Sequence, residues 1–207
     1  MNIFDLPYIK QINMTGNTEK DAIGLLMANN CSKIAGHSLD VAKTGAKLAR
    51  RFGLDEKTAY DTGILHDISG VMKPADMMAY ACNSGWYMDE SEKKHPFILH
   101  QRISAVIAEK VFDVKNKIIL SAVSCHSTLK SNPSEQDMLL FLADKIAWDR
   151  EETPPFLDVV YESLHISLAR ASLTYIQYAL ENGLIISPHT WLIQAKEWLE
   201  KSLKIAF

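Results

Sequence analysis

Residues 33–67 read KIAGHSLDVAKTGAKLARRFGLDEKTAYDTGILHD, and the way this stretch has to lie decides the fold. His37, Val41, Thr44, Leu48 and Phe52 recur at offsets of 4, 7, 11 and 15 from the histidine, which places them on one face of an α-helix. Gly53 follows Arg50, Arg51 and Phe52 as a left-handed stop, and Asp55 is suited to cap the next helix. The spacing therefore predicts helices over 33–52 and 56–67. An imidazole on a core stripe needs a partner. The second helix runs into His66-Asp67, and Ile68-Ser69-Gly70 should end it. Neighbours on a helix point about 100° apart, so His66 and Asp67 address one point only at a turn or helix end.

The same punctuation continues along the chain. Further helices are expected at roughly 17–30, 74–84, 97–112, 115–126, 135–149, 156–182 and 189–204, within about 2–4 residues at each end. Pro96 can open one of them, Asn132-Pro133-Ser134 and Thr153-Pro154-Pro155 interrupt the chain, and Asn182-Gly183 closes the long eighth helix before Pro188. No strand pattern competes, and the breaks are too short to be linkers. The expectation is an all-α, single-domain helical bundle over 20–207, preceded by an N-terminal extension over 1–19.

With 207 residues, 47% of them hydrophobic, the chain can bury one substantial core. A net charge of −3 argues against a basic sheath for nucleic acid or anionic lipid. Cys31, Cys82 and Cys125 are odd in number and lack C-x-x-C spacing, so a reducing compartment is expected. MNIFDLPYIK has no signal-peptide pattern, and no window approaches the roughly 18 apolar residues of a membrane helix. These features lead to an expectation of a cytoplasmic protein with no membrane partner; the oligomeric state stays open.

A lone histidine on an apolar face is more often a hydrogen-bonded core residue than a ligand. Here several do the same thing. His100 lies in line with Ile103, Ile107 and Val111, and His126 with Ile119 and Ala122. Asp144 sits between Phe141 and Trp148 on a core stripe, where an unpaired carboxylate is very costly and a bound cation is a standard remedy. Imidazole with carboxylate suits iron, manganese, zinc or magnesium. Other residues have plainer readings: Cys125 as an inert buried thiol, His95, His165 and His189 as surface or loop histidines, and Glu90 and Glu92 as loop residues. Met77, Met78, Trp86, Trp148, Trp191 and Trp198 read mainly as core filler, with Trp148 the best of them for a nucleobase shelf.

The order H…HD…H…H…D resembles the HD-domain phosphohydrolases, above all the YqeK-like group of symmetrical diadenosine tetraphosphate hydrolases. The resemblance runs from about residue 20 to near the C-terminus. It is carried by His37-Ser38, Gly63-Ile64-Leu65-His66-Asp67-Ile68, Pro96-Phe97-Ile98-Leu99-His100, Ala122 to Thr128, Leu142-Ala143-Asp144-Lys145-Ile146, Arg150 and Ile186-Ser187-Pro188-His189-Thr190. Three positions depart from the family. Its lysine three residues after the motif aspartate is Gly70, the glycine of its His-Thr-Thr-Gly is Leu129, and its Glu-Pro is Ala147-Trp148.

The resemblance implies an HD-domain helical bundle and a centre of one or two divalent ions, iron first. One ion would take His37, His66, Asp67 and Asp144; the other would take His100 and His126, with Asp67 bridging. His66 and Asp67 would thus be catalytic as well as ligating, and a metal-activated water would attack phosphorus. The substrate would be a nucleotide, expected to be a dinucleoside polyphosphate such as diadenosine tetraphosphate, cut to ADP. Arg150, Lys73, Lys145, Ser127 and Thr128 are the expected substrate contacts. The alternatives are a nucleotidase acting on mononucleotides, a mixed-valence diiron oxygenase, and a non-catalytic HD signalling module, although such modules generally lose ligands and all six are present.

Overall fold

A computed structural model of the chain describes residues 3, 6–9, 13–148 and 153–205. Arg150, an expected phosphate contact, lies outside these residues. Eleven α-helices and no strand occur among them. They are α1 (Thr18–Ala28), α2 (Ser32–Phe52), α3 (Glu56–Leu65), α4 (Pro74–Asn83), α5 (Glu90–Lys94), α6 (His100–Lys110), α7 (Lys117–Cys125), α8 (Glu135–Ile146), α9 (Leu157–Leu164), α10 (Leu168–Glu181) and α11 (Thr190–Ile205). Two 3₁₀ turns, Ile68–Val71 and Pro96–Leu99, follow α3 and precede α6. The all-α reading holds.

Several caps fall where the sequence places them. Asp55 accepts from the Thr58 amide, and Ser134 and Asp137 form a reciprocal capping box on α8. Gly53 ends α2 in the left-handed conformation at φ 70°. One long helix was expected over 156–182, but the chain forms α9 and α10, with Ser167 capping α10 by accepting from the Arg170 amide. No Pro or Gly marks that break. The segment before α1 belongs to the same core: Ile3, Leu6 and Ile9 are buried in it, and the Tyr8 hydroxyl donates to Asp76 at 2.7 Å.

Helices α2 and α3 lie unusually close. A Cβ on Gly63 would stand 2.5 Å from Ala42 Cα and 2.6 Å from Ala42 N, and one on Gly45 would stand 3.3 Å from the Ala59 carbonyl oxygen. Only hydrogen at Gly63 lets the two backbones meet, which brings the start of α2 to the C-terminal end of α3.

A second brace ties α5, α6 and α11 together. Glu90 and Glu92 are not loop residues: Asp89 and Glu92 make a capping box that starts α5. Glu92 is fully buried, accepts two bonds from Arg102 Nη1 at 3.0 and 3.1 Å, and lies 3.6 Å from His189 Nε2. Asp89 reaches the Thr190 amide at 3.2 Å. His189, expected as a surface or loop histidine, lies in the loop just before α11 but is only 5% exposed, packed against this acidic pair. His95 and His165 are exposed as expected. Among the described residues no helix is long and apolar enough to cross a membrane.

Candidate metal centre

The site is built from helix ends. Helix α3 stops at Leu65, so His66 is its C-cap and Asp67 has already left helical geometry at φ −109°, ψ 20°. The two adjacent side chains can therefore face one point. His100 begins α6 directly after a 3₁₀ turn, and His126 is the C-cap of α7. His37 comes from the first turns of α2 and Asp144 from the last turn of α8. All six expected residues converge. His37 Nε2 lies 3.0 Å from Asp144 Oδ1, and His66 Nε2 lies 3.6 Å from that oxygen and 3.5 Å from Asp67 Oδ2. His100 Nε2 and His126 Nε2 each lie 3.4 Å from Asp67 Oδ1. Asp67 is thus common to two candidate ligand groups, His37–His66–Asp67 and Asp67–His100–His126.

The proton positions follow from the backbone. His66, His100 and His126 each set Nδ1 against the carbonyl three residues earlier, on Gly63, Phe97 and Val123, at 2.7, 2.7 and 2.8 Å. A carbonyl only accepts, so each Nδ1 carries the hydrogen and each Nε2 keeps a lone pair. The consequence is a cluster of facing acceptors. His100 Nε2 and His126 Nε2 are 3.0 Å apart, and the buried His66 Nε2 and Asp67 Oδ1 have no hydrogen-bond partner. Lone pairs crowded at this distance repel, and buried polar atoms left unsatisfied are costly. A divalent cation removes both penalties, and the N/O donor set suits one.

The electrostatics agree. Burial holds two of the imidazoles neutral: His66 is lowered, and His100 is pushed down to about 4 despite the charge of Asp67. Burial alone would raise the carboxyl of Asp67, but His66, His126 and His100 around it, once charged in the acid range where a carboxyl titrates, hold it well below the usual range. Asp144 is likewise held low, where burial is outweighed by Lys145 and His37. Lys145 Nζ lies 2.5 Å from Asp144 Oδ2, beneath the Phe141 and Tyr175 rings at 5.3 and 6.0 Å. The centre thus presents His66 and His100 as neutral imidazoles and Asp67 and Asp144 as ionised carboxylates, the forms that bind metal.

Around it, Ser127 Oγ stands 3.0 Å from His100 Nε2. Thr128, expected as a substrate contact, is 6% exposed and turned onto Gln101. Lys73 is exposed as the N-cap residue of α4. At Gly70 a side chain would run into Ile34 Cδ1, so the departure from the family's lysine is matched by local packing. Trp148 packs edge-on to Phe156 at 5.5 Å. The aromatic that sequence reasoning missed is Phe97: it is 54% exposed and stacks on His100 at 4.7 Å and 18°. Cys125 is buried and its thiol is pushed up, as an inert cysteine should be.

Residues 34–149 match the HD domain family. A Lactococcus lactis subsp. cremoris protein, described by its position in the pepC 5′ region, is 37% identical over 150 residues, covering 72% of this chain and 76% of its own. The symmetrical bis(5′-nucleosyl)-tetraphosphatase of Bacillus subtilis is 23% identical over 160 residues, covering 75% of this chain and 84% of its own. The fold matches the crystal structure of an HD superfamily hydrolase from Clostridium acetobutylicum with a TM-score of 0.77 at 22% identity, over 88% of this chain and 97% of that one. With a histidine–aspartate centre built from the ends of its helices, the chain belongs to the HD domain family and is a metal-dependent phosphohydrolase.

Proposed function

We propose that this enzyme hydrolyses a phosphoanhydride bond of a nucleotide, with diadenosine tetraphosphate cut symmetrically to two ADP as the first substrate to test. The observation that carries the reading is the set of facing Nε2 lone pairs of His66, His100 and His126 around Asp67. In this reading His37, His66, Asp67 and Asp144 hold one divalent ion, and Asp67, His100 and His126 hold another; iron is the first candidate. Bound ions would supply Lewis-acid charge neutralisation and a water of lowered pKa. The chain's own residues do the rest. Asp67 and Asp144 supply the anionic charge, and the carbonyls of Gly63, Phe97 and Val123 hold the rings in one orientation. Ser127 Oγ stands within hydrogen-bonding reach of a phosphoryl oxygen placed beside His100. Phe97 offers its outer ring face to a nucleobase, a stacking surface any base can use. Lys145, Arg150 and Lys73 are the cations available for phosphate, with Arg150 first because its fork matches phosphate geometry. Three free cysteines fit the expected cytoplasmic setting.

The test is metal analysis of the purified protein combined with product identification on a nucleotide panel in heavy-oxygen water. ADP alone from diadenosine tetraphosphate, labelled in one of the two molecules, supports the reading. AMP plus ATP would mean that another phosphorus faces the site. Cleavage confined to mononucleotides would make the enzyme a nucleotidase.

A further inference from the structure

We propose that Gln101 is a positioning residue that clamps the turn after His126 and so sets the separation of His100 and His126. This rests on the two-ion reading above. Gln101 is completely buried, immediately after His100. Its Oε1 accepts from the Ser127 amide at 3.0 Å and the Thr128 amide at 3.3 Å, the two residues immediately after His126. Its Nε2 donates to Thr128 Oγ1 at 3.1 Å, and that hydroxyl donates to the Leu129 carbonyl at 2.9 Å. The circuit uses both ends of the amide and leaves Thr128 no polar group for substrate.

The turn so held is not one the backbone prefers. Leu129 has φ +58°, a left-handed conformation that glycine adopts freely and a branched side chain does not. It is also fully buried, and its amide donates to the Cys125 carbonyl at 2.6 Å. A strained conformation persists only where its surroundings over-determine it, and Gln101 provides three of the hydrogen bonds that do so. The clamp links Gln101, one position beyond His100, to Ser127 and Thr128, one and two positions beyond His126. Across this short span the two Nε2 atoms stand 3.0 Å apart, and Ser127 Oγ reaches His100 Nε2 at the same distance. Each ring is already fixed to its own carbonyl. What remains free between them is the offset between the start of α6 and the end of α7, and Gln101 spans that gap.

The experiment titrates chelator-stripped protein with Mn²⁺, following free ion by electron paramagnetic resonance and heat by calorimetry. The variants are Gln101→Met, which keeps length and removes every polar contact, and Thr128→Val, which keeps shape. The second removes the bonds to Gln101 Nε2 and the Leu129 carbonyl while leaving the two amide bonds to Gln101 Oε1 in place. The wild type should bind two ions. Gln101→Met should weaken the second by at least about 10-fold, the scale of lost support around a ligand, and leave the first within about 2-fold. Thr128→Val should weaken the second ion by about 3–5-fold, less than Gln101→Met because the amide bonds to Gln101 Oε1 remain, on the scale of about 1 kcal/mol per lost hydrogen bond. Unchanged affinity for both ions in both variants, even with a lower melting temperature, would overturn the clamp and leave Gln101 merely structural. If Gln101→Met does not fold, Thr128→Val decides by the same criterion. A wild type that binds one ion would overturn the two-ion reading and this proposal with it, whereas two ions unaffected by either variant overturn the clamp alone.

Discussion

Gly63→Ala sets two effects against each other that can be weighed from the structure. In an exposed helix interior the change should stabilise, since alanine is favoured over glycine by roughly 1 kcal/mol. At Gly63 the new methyl would stand 2.5 Å from Ala42 Cα, 2.6 Å from Ala42 N and 3.0 Å from Val41 C. All three are backbone atoms, so no rotamer change relieves the contact, and α2 must retreat from α3 by about 1 Å to restore ordinary carbon contacts of roughly 3.5–4.0 Å. Overpacking a close-packed seam costs about 1–3 kcal/mol, and a backbone clash belongs at or above the upper end. The clash wins by about 2 kcal/mol, which for a chain of this size lowers the melting temperature by about 4–8 °C. The retreat also carries His37 away from His66, so affinity for the ion they are proposed to share should fall about 10-fold or more. Gly24→Ala is the matched control, because a Cβ there meets nothing within 4 Å; it should leave the melting temperature unchanged or raise it. The measurements are thermal melts in chelator and a metal titration of both variants. If Gly63→Ala melts with the wild type and binds metal as tightly, the account of the α2–α3 seam is wrong.

Other perturbations follow from single residues. Asp67→Asn removes the carboxylate shared by both ligand groups and should lower metal content at both, about 10–100-fold in affinity, with activity lost; normal turnover at normal occupancy would sink the proposed centre. Phe97→Ala should raise the Michaelis constant for a nucleotide several-fold while leaving hydrolysis of a base-free phosphate ester unchanged; equal effects on both would mean the ring only covers His100. Burial pushes the Glu92 carboxyl up, but His189, the Asp89 amide and Arg102 outweigh it, so its folded pKa is lowered. Its stabilisation is then complete above its unfolded pKa near 4.3 and is lost as pH falls below that. Glu92→Gln should therefore be less stable at pH 7 yet show a shallower loss of melting temperature below pH 4, and parallel acid curves would exclude this assignment.

Helix periodicity was enough to put His37 and Asp144 on core faces, and the expected stop after Asp67 was enough to let two adjacent side chains share a target. Both are local signals. The break between α9 and α10 was missed because Ser163 to Ser167 contains nothing that forbids helix, and only the serine cap at Ser167 marks it. The Asp89-x-x-Glu92 capping box was legible, but a helix as short as Glu90–Lys94 has no apolar period to support it. The burial of His189 was beyond reach, since its partner Glu92 lies far away in the chain and only the packing of α11 brings them together. Thr128 reads as a polar residue beside a ligand, and its partner Gln101 is visible only once α6 and α7 are side by side.

Three of the imidazoles owe their orientation to main-chain carbonyls. Carboxylates that orient metal-bound histidines can be lost to one codon change, but the carbonyls of Gly63, Phe97 and Val123 are present whatever side chain each position carries. The alignment of these rings is thus insulated from drift in the surrounding sequence so long as the helix ends keep their shape. Residues beside His100, such as Phe97 and Ser127, are then free to change and retarget the enzyme to a new phosphate ester or anhydride without detuning the ions that would cleave it.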